Sequence, residues 1–190
     1  MRSGTGSEIV SRQPGSPEGM LLRGHALQNQ HRFREAEPLY RRSLEIREKT
    51  LGPNHMEIGN SLNNWARMYL NSGQTDKAEP LLVRALEIFK TALPPDHPNN
   101  AYVLDNLAAI KIRHNDFDGA APLAERSLKI KQRMYPPEHP ELARSVGLQA
   151  LIEGNRGNLA LAEKLFREAL TSVEKSLGPN DLNTIETRNG

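Results

Sequence analysis

Apolar positions recur at steps of three and four over long stretches of this chain, and the stretches come in pairs. Between Glu57 and Asn71, the residues Ile58, Leu62, Trp65, Ala66, Tyr69 and Leu70 fall on one face of a helix. Asn71-Ser72-Gly73 breaks that helix, with Gly73 suited to a left-handed cap. A second periodic run, Asp76 to Ala92, carries Ala78, Leu81, Leu82, Ala85, Leu86 and Phe89. Pro94-Pro95 ends it, because proline has no N–H to donate and restricts the residue before it. Asp96-His97-Pro98 restarts the pattern: either polar residue can cap, and Pro98 suits a first helical turn.

The pairs repeat. Ala36, Ala78, Ala120 and Ala162 stand 42 residues apart, as do Leu44, Leu86, Leu128 and Leu170. The small residues Ser43, Ala85, Ser127 and Ala169 keep the same step, and so do Pro53, Pro95, Pro137 and Pro179. His55, His97 and His139 follow it too, with Asp181 in fourth place. So many columns in one register, without an insertion, define a repeat. The pattern predicts first helices near 17–30, 57–71, 99–114 and 141–155, and second helices near 34–50, 76–92, 118–134 and 160–176. Pro38, Pro80 and Pro122 are expected within about the first turn of their helices, where a missing donor costs little. Ala66, Ala108, Ala78 and Ala120 let helix axes approach closely while Leu and Phe fill the grooves. A lone hairpin cannot bury both apolar faces, so each copy needs the next, and an all-α stack of antiparallel helix pairs is the expected product. Its units are 17–54, 55–96, 97–138 and 139–180. Residues 1–16, small and polar, are expected to form a disordered leader, and residues 181–190 to open a fifth first helix that stops in mid-unit.

Composition fits and narrows this. Hydrophobic residues make up 37% of the 190 and aromatics only 5%, so a core must come from Leu, Ala and Ile, which favours helices. No run of about 18 apolar residues occurs, nor an apolar N-terminal segment of the secretory kind. With no cysteine, disulfides, thiolate metal sites and cysteine nucleophiles drop out together, and a cytoplasmic protein is expected. Lys and Arg total 25 against 23 Asp and Glu, and no segment forms the basic stripe of a nucleic-acid binder.

Ser61-Leu-Asn-Asn-Trp-Ala66, Gly73, Ala78-Glu-Pro-Leu-Leu82 and Arg84-Ala-Leu-Glu-Ile88 together resemble the tetratricopeptide repeat. The 42-residue period and Leu51-Gly-Pro-Asn-His55 resemble its long-turn, kinesin-light-chain-like variety. The resemblance covers residues 17 to 190 and implies a right-handed α-solenoid whose first helices line a concave groove that binds proteins or peptides. The fourth unit departs from the pattern with Gly147, Gln149 and Gly154 in its first helix, and the third has Lys111 where the second has Tyr69.

Helical phase gives the groove candidates, the polar stripe of each first helix. In the second unit these are Asn60, Asn64, Arg67 and Asn71; in the third, Tyr102, Asn106 and Arg113; in the fourth, Arg144, Leu151 and Asn155. Asn64 and Asn106 match the family position whose amide grips a ligand's backbone, and an amide with one acceptor and two donors suits that task. The three arginines offer forked donors to an acidic peptide or a free carboxylate. A solvated helix face is the plainer reading of the same stripe. The histidines, one per repeat, are expected to be turn or cap residues too far apart to share a metal. Asp116-Phe117-Asp118-Gly119 lacks the further ligands of a calcium loop. No nucleophile elbow, phosphate loop or His-Glu-x-x-His occurs, so neither catalysis nor a cofactor is expected. The expected function is a protein-interaction scaffold. The alternatives are a self-associating array, stacking through Leu165, Phe166, Ala169 and Val173, or a regulatory module of a larger protein.

Overall fold

The computed structural model describes residues 13–137 and 139–177. Most of the expected leader and the fifth first helix lie outside the described residues. Among these residues there are eight helices and no strand. The chain divides into two compact units, Met1–Pro94 and Pro95–Gly190.

The first unit holds α1 (Pro17–Asn29), α2 (Phe33–Leu51), α3 (Met56–Asn71) and α4 (Thr75–Ala92). Helix α1 packs on α2, α3 on α4, and α2 on α3, which also brings α1 to α3. Alanines make this possible: Ala36, Ala66, Ala78 and Ala85 are completely buried, with Tyr40, Ile58, Leu62, Leu82 and Phe89 filling the space between axes. Gly59 takes this furthest, since a Cβ there would collide with the Phe89 ring. The second unit repeats the plan with α5 (Pro98–Arg113), α6 (Phe117–Gln132), α7 (Pro140–Asn155) and α8 (Leu159–Leu177). Its core joins Ala108, Ala120 and Ala124 to Leu148 and Ile152. Ala169 and Val173 pack against Ala143 and Val146, so two of the four residues considered for stacking onto another copy are buried inside this unit.

The helix ends follow their chemistry. His55, His97 and His139 are N-caps, each accepting through Nδ1 from the backbone N–H two residues on, of Glu57, Asn99 and Glu141, at 3.2 Å. Ser16, at the end of the expected leader, caps α1 by accepting from the Gly19 N–H at 3.0 Å. The turn inside each hairpin passes through the left-handed region at one in-register position: His31 (φ 57°), Gly73 (76°), Asn115 (59°) and Gly157 (85°). The next N–H then closes back on the helix, as Gln74 does onto the Tyr69 carbonyl at 2.8 Å. Pro38, Pro80 and Pro122 sit deeper than the first turn: each is the sixth residue of its helix. The carbonyl that loses its helical donor, four residues earlier, belongs to the exposed Arg34, Asp76 or Asp118, so the proline costs little there. Helix α6 ends at Gln132, short of the expected 134, because the Arg133 and Met134 N–H groups turn back onto Ile130 and Lys131 ahead of Pro136-Pro137.

Candidate binding face of the first helices

In the first unit, burial of Ile58, Leu62, Ala66 and Tyr69 turns the opposite stripe of α3 outward. Asn60 and Asn64 on that stripe are half-buried, and Arg67 and Asn71 are exposed. The Asn60 amide donates to Glu57 at 3.1 Å. Arg67 lies near enough to α1 for its charge to act on His25. His25 is held below the ordinary histidine range first by burial and then by Arg67. Its Nε2 is buried with no hydrogen-bond partner, and its ring tilts against Tyr40 at 5.7 Å. Burial pushes the Tyr40 phenol up to about 12, and its hydroxyl donates to Gln28 at 3.0 Å.

In the second unit the stripe is more organised. Asn106 is only 2% exposed, and its Oδ1 accepts from the exposed Arg144 guanidinium at 2.5 Å, which joins α5 to α7. Asn106 is therefore covered, with its amide oxygen engaged by Arg144. Tyr102 is half-buried, its hydroxyl 2.8 Å from that of Tyr135, whose ring stacks on His139 at 4.1 Å. Burial, the Tyr135 hydrogen bond and the Glu141 and Asp105 carboxylates together raise the Tyr102 phenol well above its usual range. Arg113 and Asn155 are exposed at the helix ends, and the Asn155 amide donates to the Leu151 carbonyl at 3.0 Å.

Beneath each stripe lies a buried cation that hydrophobic patterning passes over. Arg47 of α2, 6% exposed, donates to Ser61 Oγ of α3 at 2.6 Å and to Glu18 of α1 at 3.0 Å, with Glu57 of α3 at 3.7 Å. Lys131 of α6, 1% exposed, donates to Asp105 of α5 at 2.7 Å and to the Glu141 carbonyl of α7 at 3.0 Å. Its ammonium lies 5.1 Å from the centre of the Tyr102 ring. Ser145 of α7 donates to the same Asp105 carboxylate, 3.0 Å from each oxygen. One signal in the sequence could have revealed them: Arg47 and Lys131 stand in the column whose other members are Phe89 and Val173. Among the described residues no three His, Asp or Glu side chains gather into a metal-binding group.

A family model described as Tetratricopeptide repeat matches residues 18–91 and 57–133, and a second of the same description matches 150–183. The chain belongs to the tetratricopeptide repeat family. No sequence among the curated proteins matches it. Among solved structures, this tetratricopeptide array is similar to a putative kinesin light chain of Podosopora anserina with nearly identical repeats. The TM-score is 0.71 at 22% identity, covering 93% of this chain and 83% of that one. A substituted form of that same protein matches with the same score and identity over 90% and 80%. BtubC (BKLC) of P. vanneervenii matches with a TM-score of 0.70 at 22% identity, over 85% of this chain and 65% of that one. These likenesses establish the fold: an all-α solenoid of tetratricopeptide repeats, similar to the kinesin-light-chain-like arrays.

Proposed function

We propose that this chain is a non-catalytic scaffold whose first helices hold an extended or helical segment of a partner protein against their outward polar stripe. The observation that carries the reading is the placement of Arg67, Arg113 and Arg144. All three are exposed on the stripe away from the apolar core, spaced among asparagines at helical steps. Forked guanidinium donors of this kind favour an acidic segment or a terminal carboxylate. Asn64 would bind the guest's main chain, an interaction that needs no particular guest sequence, and the covered Asn106 would join it only when Arg144 turns from it to the guest. A cytoplasmic setting is part of the proposal; among the described residues no helix is long and apolar enough to cross a membrane.

The test is to select binders from a library of random short peptides on the full chain. A photo-reactive residue placed at the end of a selected peptide then marks where it lies. Crosslinks on α3, α5 or α7 support the reading. Crosslinks confined to the outer faces of the second helices α2, α4, α6 and α8 contradict it.

A further inference from the structure

The repeat of 42 residues conceals one of 84. In the second helices the small-residue column reads Ser43, Ala85, Ser127, Ala169, and the column four residues on reads Arg47, Phe89, Lys131, Val173. The first and third copies are thus polar where the second and fourth are apolar. The structure shows what the polar copies do. Ser43 donates to the Pro17 carbonyl of α1 at 2.9 Å, and Ser127 to the Ala101 carbonyl of α5 at 3.0 Å. Each cation then reaches from its second helix to two successive first helices at once. Arg47 takes Glu18 on α1 and Ser61 on α3. Lys131 takes Asp105 on α5 and the Glu141 carbonyl on α7, while Ser145 on α7 closes onto that same Asp105.

Asp105 and Ser145 directly precede and follow residues of the stripe: Asp105 is next to Asn106 and Ser145 is next to Arg144. We infer that Arg47 and Lys131 are positioning residues, one per pair of repeats, which bolt the two first helices of each unit at a fixed separation. In the second unit that separation is the one at which Arg144 reaches Asn106. An apolar contact could hold the helices together but is non-directional, and tolerates sliding. The Lys131–Asp105 pair, 1% exposed on both sides, has one arrangement that leaves no buried charge unpaired; Arg47 is itself buried and reaches partly exposed carboxylates, so its link is the looser of the two. The bolts define geometry whether or not a guest binds; their bearing on recognition rests on the function proposed above.

The absence of cysteine makes a direct test simple, because introduced cysteines are the only sites for spin labels. Labels at Arg113→Cys and Asn155→Cys span α5 and α7, and labels at Asn29→Cys and Asn71→Cys span α1 and α3; all four positions are exposed. Pulsed electron–electron resonance on the full chain, without peptide, reads each distance distribution. In the Lys131→Met/Asp105→Leu variant the 113–155 distribution is expected to shift or broaden while the 29–71 distribution and the circular dichroism spectrum stay as in the parent. Ser145→Ala, which keeps the ion pair, should give a smaller change in the same direction. If the double variant loses its helical signal, Ser145→Ala decides: a widened 113–155 distribution supports the assignment. A distribution superimposable on the parent's overturns it. Because no peptide is present, failure here is separable from failure of the proposed binding function.

Discussion

At the scale of single residues, the sequence is most demanding where an isolated side chain or its absence has no substitute. Gly73 occupies the left-handed turn with φ 76°, so Gly73→Ala is expected to cost about 1 kcal/mol in urea denaturation. Asn115→Gly, at the same place one repeat on, should cost nothing or add slightly to stability. Asp105 presents the sharper case. It is 1% exposed, as is its partner Lys131. Asp105→Ala leaves a buried ammonium and is expected to cost about 3–5 kcal/mol, whereas replacing both partners by apolar residues of similar volume should cost far less. Chemical denaturation of the single and double variants measures the difference. A single variant as stable as the double would show that the charge is not buried as described.

At the scale of elements, the helices were legible and the polar links between them were not. Three- and four-residue periodicity, the alanine columns and the proline and glycine breaks place all eight helices to within about two residues, because those signals are local. The histidine caps were legible for the same reason. His55→Ala removes the acceptor for the Glu57 N–H and is expected to cost about 0.5–1 kcal/mol in thermal melts, with His55→Asn restoring most of it. Arg47, Lys131 and Asp105 were missed because a charged residue in a helix is ordinarily a solvated one. Apart from the column that Arg47 and Lys131 share with Phe89 and Val173, what reveals their burial is contacts across 10 to 40 residues of sequence. Asn106 was legible as a stripe residue, but its clasp by Arg144, 38 residues on, was not. Gly147, where the fourth unit departs from the repeat pattern, lies inside α7 with open space where a Cβ would stand, so Gly147→Ala should raise stability by about 1 kcal/mol.

At the scale of the molecule, the two units offer separate readouts. Trp65 is the only tryptophan, so its fluorescence reports the first unit. His25 in that unit has its folded-state value lowered below 6.5, mainly by burial, so folding favours the neutral ring. Its contribution is complete above the ordinary histidine value and is lost as the pH falls through the depressed folded one. The urea midpoint followed by Trp65 should therefore drop as pH is taken from 7 to 5. His25→Phe should flatten that drop, and Arg67→Met should leave most of it, because burial outweighs the arginine. The central claim concerns the outward stripe of the first helices, and a binding titration tests it most directly. A library-selected peptide is labelled and titrated by fluorescence anisotropy against the full chain and against Arg67→Glu, Arg113→Glu and, on an outer helix face, Lys129→Glu. The account predicts that a stripe variant loses about tenfold or more in affinity, as expected when a charge-assisted hydrogen bond worth about 1.5–3 kcal/mol is removed, with its melting temperature and the Lys129→Glu affinity unchanged. Equal affinity across all the variants, or loss only in step with unfolding, would contradict it.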